Sequence, residues 1–274
     1  NTNLNITNAP ATFTTNGATW ETNFHGVWHL NLTNLDSTAY ANNGTNNNNT
    51  NVTGRIGGGQ GFNGANAYIR LPNNGSLTTN IFTIEAWMNN SAASPEWHYA
   101  YSAGTTTPDA SKVDFGIVQY PAGSKRFGGA IAPNAGIMGQ TDASSLVGQW
   151  RHLVYVLDVG NNKSYVYENG VQTTNSTGSS PASADTFAIG AKYKLGDYMN
   201  GLLDEIRVSS APRASNWVWA CYMNQASNTN FVVYGAVSIP ATAPTVDNDG
   251  GQSNVTATTA ILNGNLNSTG GVLT

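Results

Sequence analysis

Short runs of β-branched and aromatic residues alternate with Gly, Asn, Ser and Pro clusters along nearly the whole chain, as in strands joined by turns. The runs predict strands at 24–30, 67–71, 82–89, 98–103, 113–120, 127–132, 150–158, 164–170, 187–193, 202–209 and 231–237. In WRHLVYVLD (150–158), Trp150, His152, Val154 and Val156 share one face, and Arg151, Leu153, Tyr155 and Leu157 the other. Both faces are largely apolar, so this strand is expected to be central and covered on both sides. Asn169-Gly170 in YENGV fits a type I′ hairpin turn, whose two central residues need positive φ. NNGS (73–76) is a second turn candidate.

One helix interrupts the β pattern. Ser215 is a candidate N-cap for NWVWACYMNQ (216–225), which follows Pro212. Apolar residues nearly encircle this helix, so it is expected to wedge against the strands, with Trp217 and Trp219 as packing anchors. After Val237 the composition shifts. SIPATAPTVDNDGG (238–251) is rich in Pro and Gly. The division expected is an N-terminal strand segment (1–20), a main domain (21–237), a linker (238–253) and an incomplete β-module or strand-donating tail (254–274). The chain does not begin with Met, so a preceding segment is expected to have been removed or omitted.

Composition narrows the function classes. Of the 274 residues only 9% are Asp, Glu, Lys or Arg, against roughly 25% in an average domain. Amides and hydroxyls therefore supply the surface polarity. With 39% hydrophobic and 10% aromatic residues, the chain has the material for a core. A net charge of −4 without a basic cluster excludes nucleic acid as a partner. The sequence holds no apolar run long enough for a membrane span. Cys221 is the single cysteine, so a disulfide within the chain is impossible, and it reads as a buried thiol. N-x-S/T patterns make Asn5, Asn31, Asn43, Asn48, Asn51, Asn74, Asn89, Asn162, Asn175, Asn254 and Asn267 candidate N-glycosylation sites.

Six blocks in order resemble the laminin-G-like, concanavalin A-like lectin/glucanase jelly-roll superfamily. VWHLN (27–31) with DSTAYANNGT (36–45) resembles the entry segment, GQGFNGANAYIRLP (59–72) and FTIEAWM (82–88) the early strands, and GQWRHLVYVLD (148–158) with YVYENGVQ (165–172) the central ones. FAIGA (187–191) and MNGLLDEIRVSSAPRA (199–214) resemble the closing signature. The resemblance implies an all-β, two-sheet antiparallel jelly-roll sandwich. It also resembles domains of large bacterial surface proteins, in which residues 245–271 would begin a fibronectin- or immunoglobulin-like module.

The same resemblance implies a structural calcium between an entry loop and a late strand, with Asp36, Asn43 and Asp204 as ligands; in the alternative without an ion, Asp36 caps a turn and Asp204 bonds loop backbone. Laminarinase-type members need carboxylates at Glu-x-Asp-x-Glu, which puts them on one strand face about 5 Å apart. The chain has no such triplet. Strand alternation would place Asp204 and Glu205 on opposite faces, so no enzyme is expected. Glu205 and Arg207 would share an exposed face as a weak ion pair. Sugar rings stack on flat apolar faces, which makes Trp97, Tyr120, Tyr193 and Tyr198 the glycan-binding candidates. The expected role is a non-catalytic extracellular structural or adhesive module, with strand pairing to like subunits or neighbouring modules. The alternative is a lectin-like glycan-binding module, in a calcium-dependent form if the ion is held.

Overall fold

The computed structural model describes residues 19–77, 82–91, 97–107, 109–119, 125–131, 137–142, 146–178, 183–226, 245–247, 250–262 and 264–268. Two units divide the chain, Asn1–Phe231 and Val232–Thr274. The larger unit is built on two antiparallel sheets.

The first sheet contains β1 (Phe24–Trp28), β3 (Thr50–Thr53), β4 (Gly58–Asn63), β6 (Phe82–Asn90), β11 (Arg151–Asp158), β12 (Lys163–Glu168), β13 (Val171–Ser176) and β15 (Asn200–Ser209). Its order is β13-β12-β11-β6-β15-β4-β3, and β1 also pairs with β15. The closing strand is therefore shared. Its first half pairs with β4, its second half with β1, and most of its length with β6. The second sheet contains β2 (Thr45–Asn47), β5 (Tyr68–Leu71), β7 (His98–Thr106), β8 (Asp109–Gln119), β9 (Lys125–Ile131), β10 (Ile137–Asp142) and β14 (Thr186–Ile189), in the order β10-β9-β8-β7-β14-β5-β2.

Strand alternation aims one face of each sheet at the other. Ile84, Ala86 and Met88 of β6, Leu153, Tyr155 and Leu157 of β11, and Leu203, Ile206 and Val208 of β15 meet Ile69, Tyr101, Phe115, Phe127, Phe187 and Ile189 in one core. These side chains are almost wholly withdrawn from water. Truncating a large one to Ala costs about 2–5 kcal/mol.

Helix α1 (Ser215–Ala226) covers part of the other face of the first sheet. Its Val218 packs on Val154, Val156 and Tyr167, with Tyr165 and Trp217 alongside. This explains why β11 is apolar on both faces. The helix is less buried than its composition suggests, because Val218 is its one fully buried residue and Trp219 is 46% exposed. Val218 N–H already bonds to Ala214 O, so Ala214 holds the cap position expected of Ser215. Asn169 and Gly170 both have positive φ, as a type I′ turn requires.

In the smaller unit, β16 (Thr245–Asp247) pairs with β19 (Asn265–Ser268), and β17 (Gln252–Ser253) with β18 (Ile261–Leu262). β16 and β17 fall within 238–253, and β18 and β19 within 254–274. The strand expected at 231–237 lies outside the described residues.

Candidate functional site

The charged run at 204–207 is not an ordinary strand. Glu205 has φ +50°, and the register with β6 shifts between Asp204↔Trp87 and Arg207↔Glu85. The extra residue forms a β-bulge, which re-aims side chains. Asp204, Glu205 and Arg207 therefore all leave the core face, while Leu203 and Ile206 stay in it. The expected separation of Asp204 from Glu205 is overturned by this bulge.

The expected exposed pair is instead a buried network. Arg207 donates to Glu85 and Glu205, each at 2.7 Å. The second oxygen of Glu205 meets His29 Nδ1 at 2.7 Å, and His152 Nε2 lies 3.6 Å from Glu85. Glu85 and Glu205 are nearly inaccessible. Burial alone would raise their pKa values. Arg207 and His152 outweigh it at Glu85, and His29 and Arg207 outweigh it at Glu205, so both carboxyls are held below the usual range. Burial would lower the pKa of Arg207, but the two carboxylates raise it. Cys221 of α1 faces this network, and burial, reinforced by Glu85, pushes its thiol up to about 12. The arrangement ties β6, β11 and β15 together. Neither carboxylate is left open to a substrate.

The residues expected to hold calcium serve the backbone. Asp36 Oδ1 accepts N–H bonds from Val27 and Thr38 at 2.9 Å. Its Oδ2 accepts from Thr38 Oγ1 and Asn42 N–H at 2.8 Å. Asn43 is exposed, and its Oδ1 accepts from Asp36 N–H at 3.0 Å. A hard cation needs oxygen lone pairs, and at Asp36 these are filled by donors, so this donor set does not fit calcium. Asp204 holds a different turn, accepting from Ile56 N–H at 2.7 Å. Its Oδ1 makes no well-formed hydrogen bond. Burial, with Glu205 as neighbour, pushes Asp204 up to about 6. Among the described residues, no three His, Cys, Asp or Glu side chains are grouped to hold a metal ion.

The outer face of the second sheet is different in kind. Because Ile69 and Leu71 point into the core, Tyr68 and Arg70 point outward from β5. On β7, a bulge between Tyr99 and Tyr101 turns Tyr99 outward, opposite Gly116. The segment 190–199 then folds over this face. Tyr193 lies on Gly104, where a Cβ would come within 2.6 Å of its ring, so only glycine leaves it a seat. Tyr193 N–H donates to Ser102 Oγ at 3.1 Å, and Ser102 Oγ donates to Asp114 at 2.6 Å.

Two aromatic pairs flank that segment. Trp97 stacks on Tyr99 with centroids 6.2 Å apart, and Tyr198 lies 6.3 Å from Tyr68. Between them Arg70 donates to Tyr193 O at 2.9 Å, and its guanidinium lies 5.6 Å from the Tyr68 ring. Lys192 lies 5.8 Å from the Tyr99 ring and 3.8 Å from Asp197. Burial, then Asp114 and Asp197, raise the Tyr99 pKa. Trp97, Tyr193 and Tyr198 are thus brought to one face. Tyr193 and Tyr99 are each 2% exposed and offer no free ring, so their part is to support the face. Tyr120 lies outside the described residues. Tyr68, Tyr99 and Arg70 were missed by sequence reasoning, although the alternation of AYIRL marks Tyr68 and Arg70 as outward.

The candidate N-glycosylation sites scatter. Asn31, Asn43, Asn48, Asn51, Asn74, Asn162, Asn175 and Asn254 are exposed. Asn74 Nδ2 is engaged with Asn42, however, and Asn89 is buried in β6 with its Nδ2 on Gly148 O. Asn5 and the side chain of Asn267 lie outside the described residues.

The comparisons with known proteins agree with this fold. A family model described as concanavalin A-like lectin/glucanases superfamily (the Laminin_G_3 model) matches residues 62–219, more than half of the chain. The chain belongs to the concanavalin A-like lectin/glucanase superfamily. Among solved structures, this superfamily member is similar to domain 4 of AbnA, a GH43 extracellular arabinanase from Geobacillus stearothermophilus, in complex with arabinotriose. The identity is 22% and the TM-score 0.57, over 72% of this chain and 96% of that one. It is also similar to the binding domain of Paraclostridial Mosquitocidal Protein 1, with 14% identity, TM-score 0.57, and 73% and 52% of the two chains covered. Trypanosoma rangeli sialidase in complex with sialic acid matches at 14% identity and TM-score 0.57, over 76% of this chain and 34% of that one. The chain therefore spans about half of the mosquitocidal domain structure and a third of the sialidase. These likenesses show the fold. No curated protein matches the chain.

Proposed function

We propose that this chain is a non-catalytic carbohydrate-binding module, and that glycans lie on the outer face of the second sheet. The observation that carries the reading is the pairing of aromatic rings with fixed polar groups on that face. Tyr68, Tyr198 and Trp97 are partly exposed, while Arg70, Lys192 and Asp197 stand between them. Stacking on flat rings holds a sugar's apolar side, and the polar groups bond its hydroxyls. The arabinotriose bound to domain 4 of the arabinanase supports a sugar as the ligand and names the first probe. An extracellular setting fits the same relative, whose enzyme is described as extracellular. Binding without turnover fits the engagement of the buried Asp114 with Ser102.

The test is isothermal titration of the whole chain with arabinotriose and a panel of neutral oligosaccharides. At least one should bind, and Tyr68→Ala and Tyr198→Ala should each weaken it about tenfold, near 1.4 kcal/mol. A panel with no binder, or binding untouched by both substitutions, would sink the reading.

A further inference from the structure

We propose that a pocket walled by Trp20, Phe24 and Tyr40, beside β1 of the first sheet, holds one neutral sugar ring as a second carbohydrate subsite. The proposal rests on the carbohydrate-binding reading and adds a site that the outer sheet face does not contain. Glu21, Thr22, Thr38 and Ala39 complete the lining, and the cavity holds about 140 Å³. A cavity near 150 Å³ accepts one benzene molecule, so this one is sized for a single six-membered ring.

The walls are fixed in advance. Trp20 and Phe24 meet edge to face with centroids 5.0 Å apart. The Tyr40 hydroxyl donates to Thr22 O at 3.0 Å, and its ring stacks on His25 at 4.6 Å. His25 is in turn hydrogen-bonded to Ser76 O. Asp36 anchors Thr38 through two hydrogen bonds, which sets the loop carrying Ala39 and Tyr40. A preformed site spends little binding free energy on ordering itself.

Charge selects the class of ligand. Arg207 lies 5.3 Å from the Trp20 ring, and Arg213 lies 4.7 Å from the Phe24 ring. The rings already serve two cations, so a cationic ligand is disfavoured. Glu21, 65% exposed, stands at the rim with Arg213 3.4 Å away. Paired with Arg213, its carboxylate leaves no unmatched charge at the rim to hold an anion, and it accepts hydroxyl hydrogen bonds. A neutral ring with one apolar face and a hydroxyl edge satisfies both sides. A phenyl ring, which has no donor, would offer nothing to Glu21.

The test uses saturation-transfer NMR of the whole chain with methyl glycosides of arabinose, galactose and glucose. Ala39→Trp fills the pocket from an exposed loop, and Trp20→Ala removes a wall. In Tyr198→Ala, where the sheet face is impaired, binding of at least one glycoside should persist and should fall about tenfold when Ala39→Trp is added. Ala39→Trp should keep the parent melting temperature, which separates blocking from unfolding. Equal glycoside binding with and without Ala39→Trp overturns the subsite, while sensitivity of oligosaccharides to Tyr198→Ala would leave the sheet-face reading standing. No saccharide binding in any form overturns both. Protection of the pocket by phenol but by no glycoside overturns the sugar assignment.

Discussion

Arg207 of β15 and Glu85 of β6 meet at 2.7 Å on the outer face of the first sheet, facing Cys221 of the covering helix. Removing one partner of a buried ion pair leaves the other charge stranded, at about 3–5 kcal/mol. Arg207→Met should therefore lower unfolding free energy by that amount in urea titration. A loss under about 1 kcal/mol, the value of a surface pair, would show that water reaches the network.

Acid should weaken the same network. The folded-state pKa values of Glu85 and Glu205 are lowered from 4.5. Their stabilisation is fully present above 4.5 and is lost as pH falls through the folded values. Thermal unfolding followed by circular dichroism should show a steep fall in melting temperature below pH 4.5 that Glu205→Gln makes shallower. An unchanged slope in that variant would contradict the assignment.

Asp204 should act with the opposite sign. Its pKa rises from 3.8 unfolded to about 6 folded. Between those values the unfolded chain releases its proton first, so stability declines as pH rises and levels off above about 6. Asp204→Asn should remove that decline and be at least as stable as the parent at pH 7. A variant that is less stable at pH 7 would mean that the charge itself is needed.

Asp36 should prove indispensable without any metal. Replacing it with Ala strands three buried N–H groups and one hydroxyl, each costing about 1–3 kcal/mol when unsatisfied. Asp36→Ala should fail to fold or melt far below the parent. Calcium or a chelator should leave the parent's melting temperature unchanged, and a clear rise with calcium would restore the ion as a component.

Gly104→Val would drive a side chain into the Tyr193 ring. Overpacking of this kind costs about 1–3 kcal/mol. The chain should stay folded yet bind oligosaccharide more weakly, because segment 190–199 loses its seat. Unaltered affinity would detach that segment from the binding face.

Much of the sandwich was legible because its inner strands are apolar. FTIEAWM, WRHLVYVLD and FAIG declare themselves through β-branched and aromatic residues, and they became β6, β11 and β14. TNN, TNVT and VQTTNS were not recognised as β2, β3 and β13, since edge strands bury little and need few apolar residues. The bulge was hidden for another reason. Positive φ is usually signalled by Gly or Asn, and here a glutamate adopts it, held by His29 and Arg207. The candidate site was half visible. Exposed-looking aromatics marked Trp97 and Tyr198, but Tyr99 depends on a bulge that no local pattern announces.

The shared closing strand sets a timetable for the molecule. β1 begins at Phe24, yet its partner is Ile206–Ser209, and β4 and β6 also wait for β15. Pairings this distant in sequence form slowly, because a long loop must close before they are rewarded. During synthesis the first sheet stays incomplete until residue 209 has left the ribosome. Until then β4 and β6 present open edges, and the sandwich is most vulnerable to self-association in that interval.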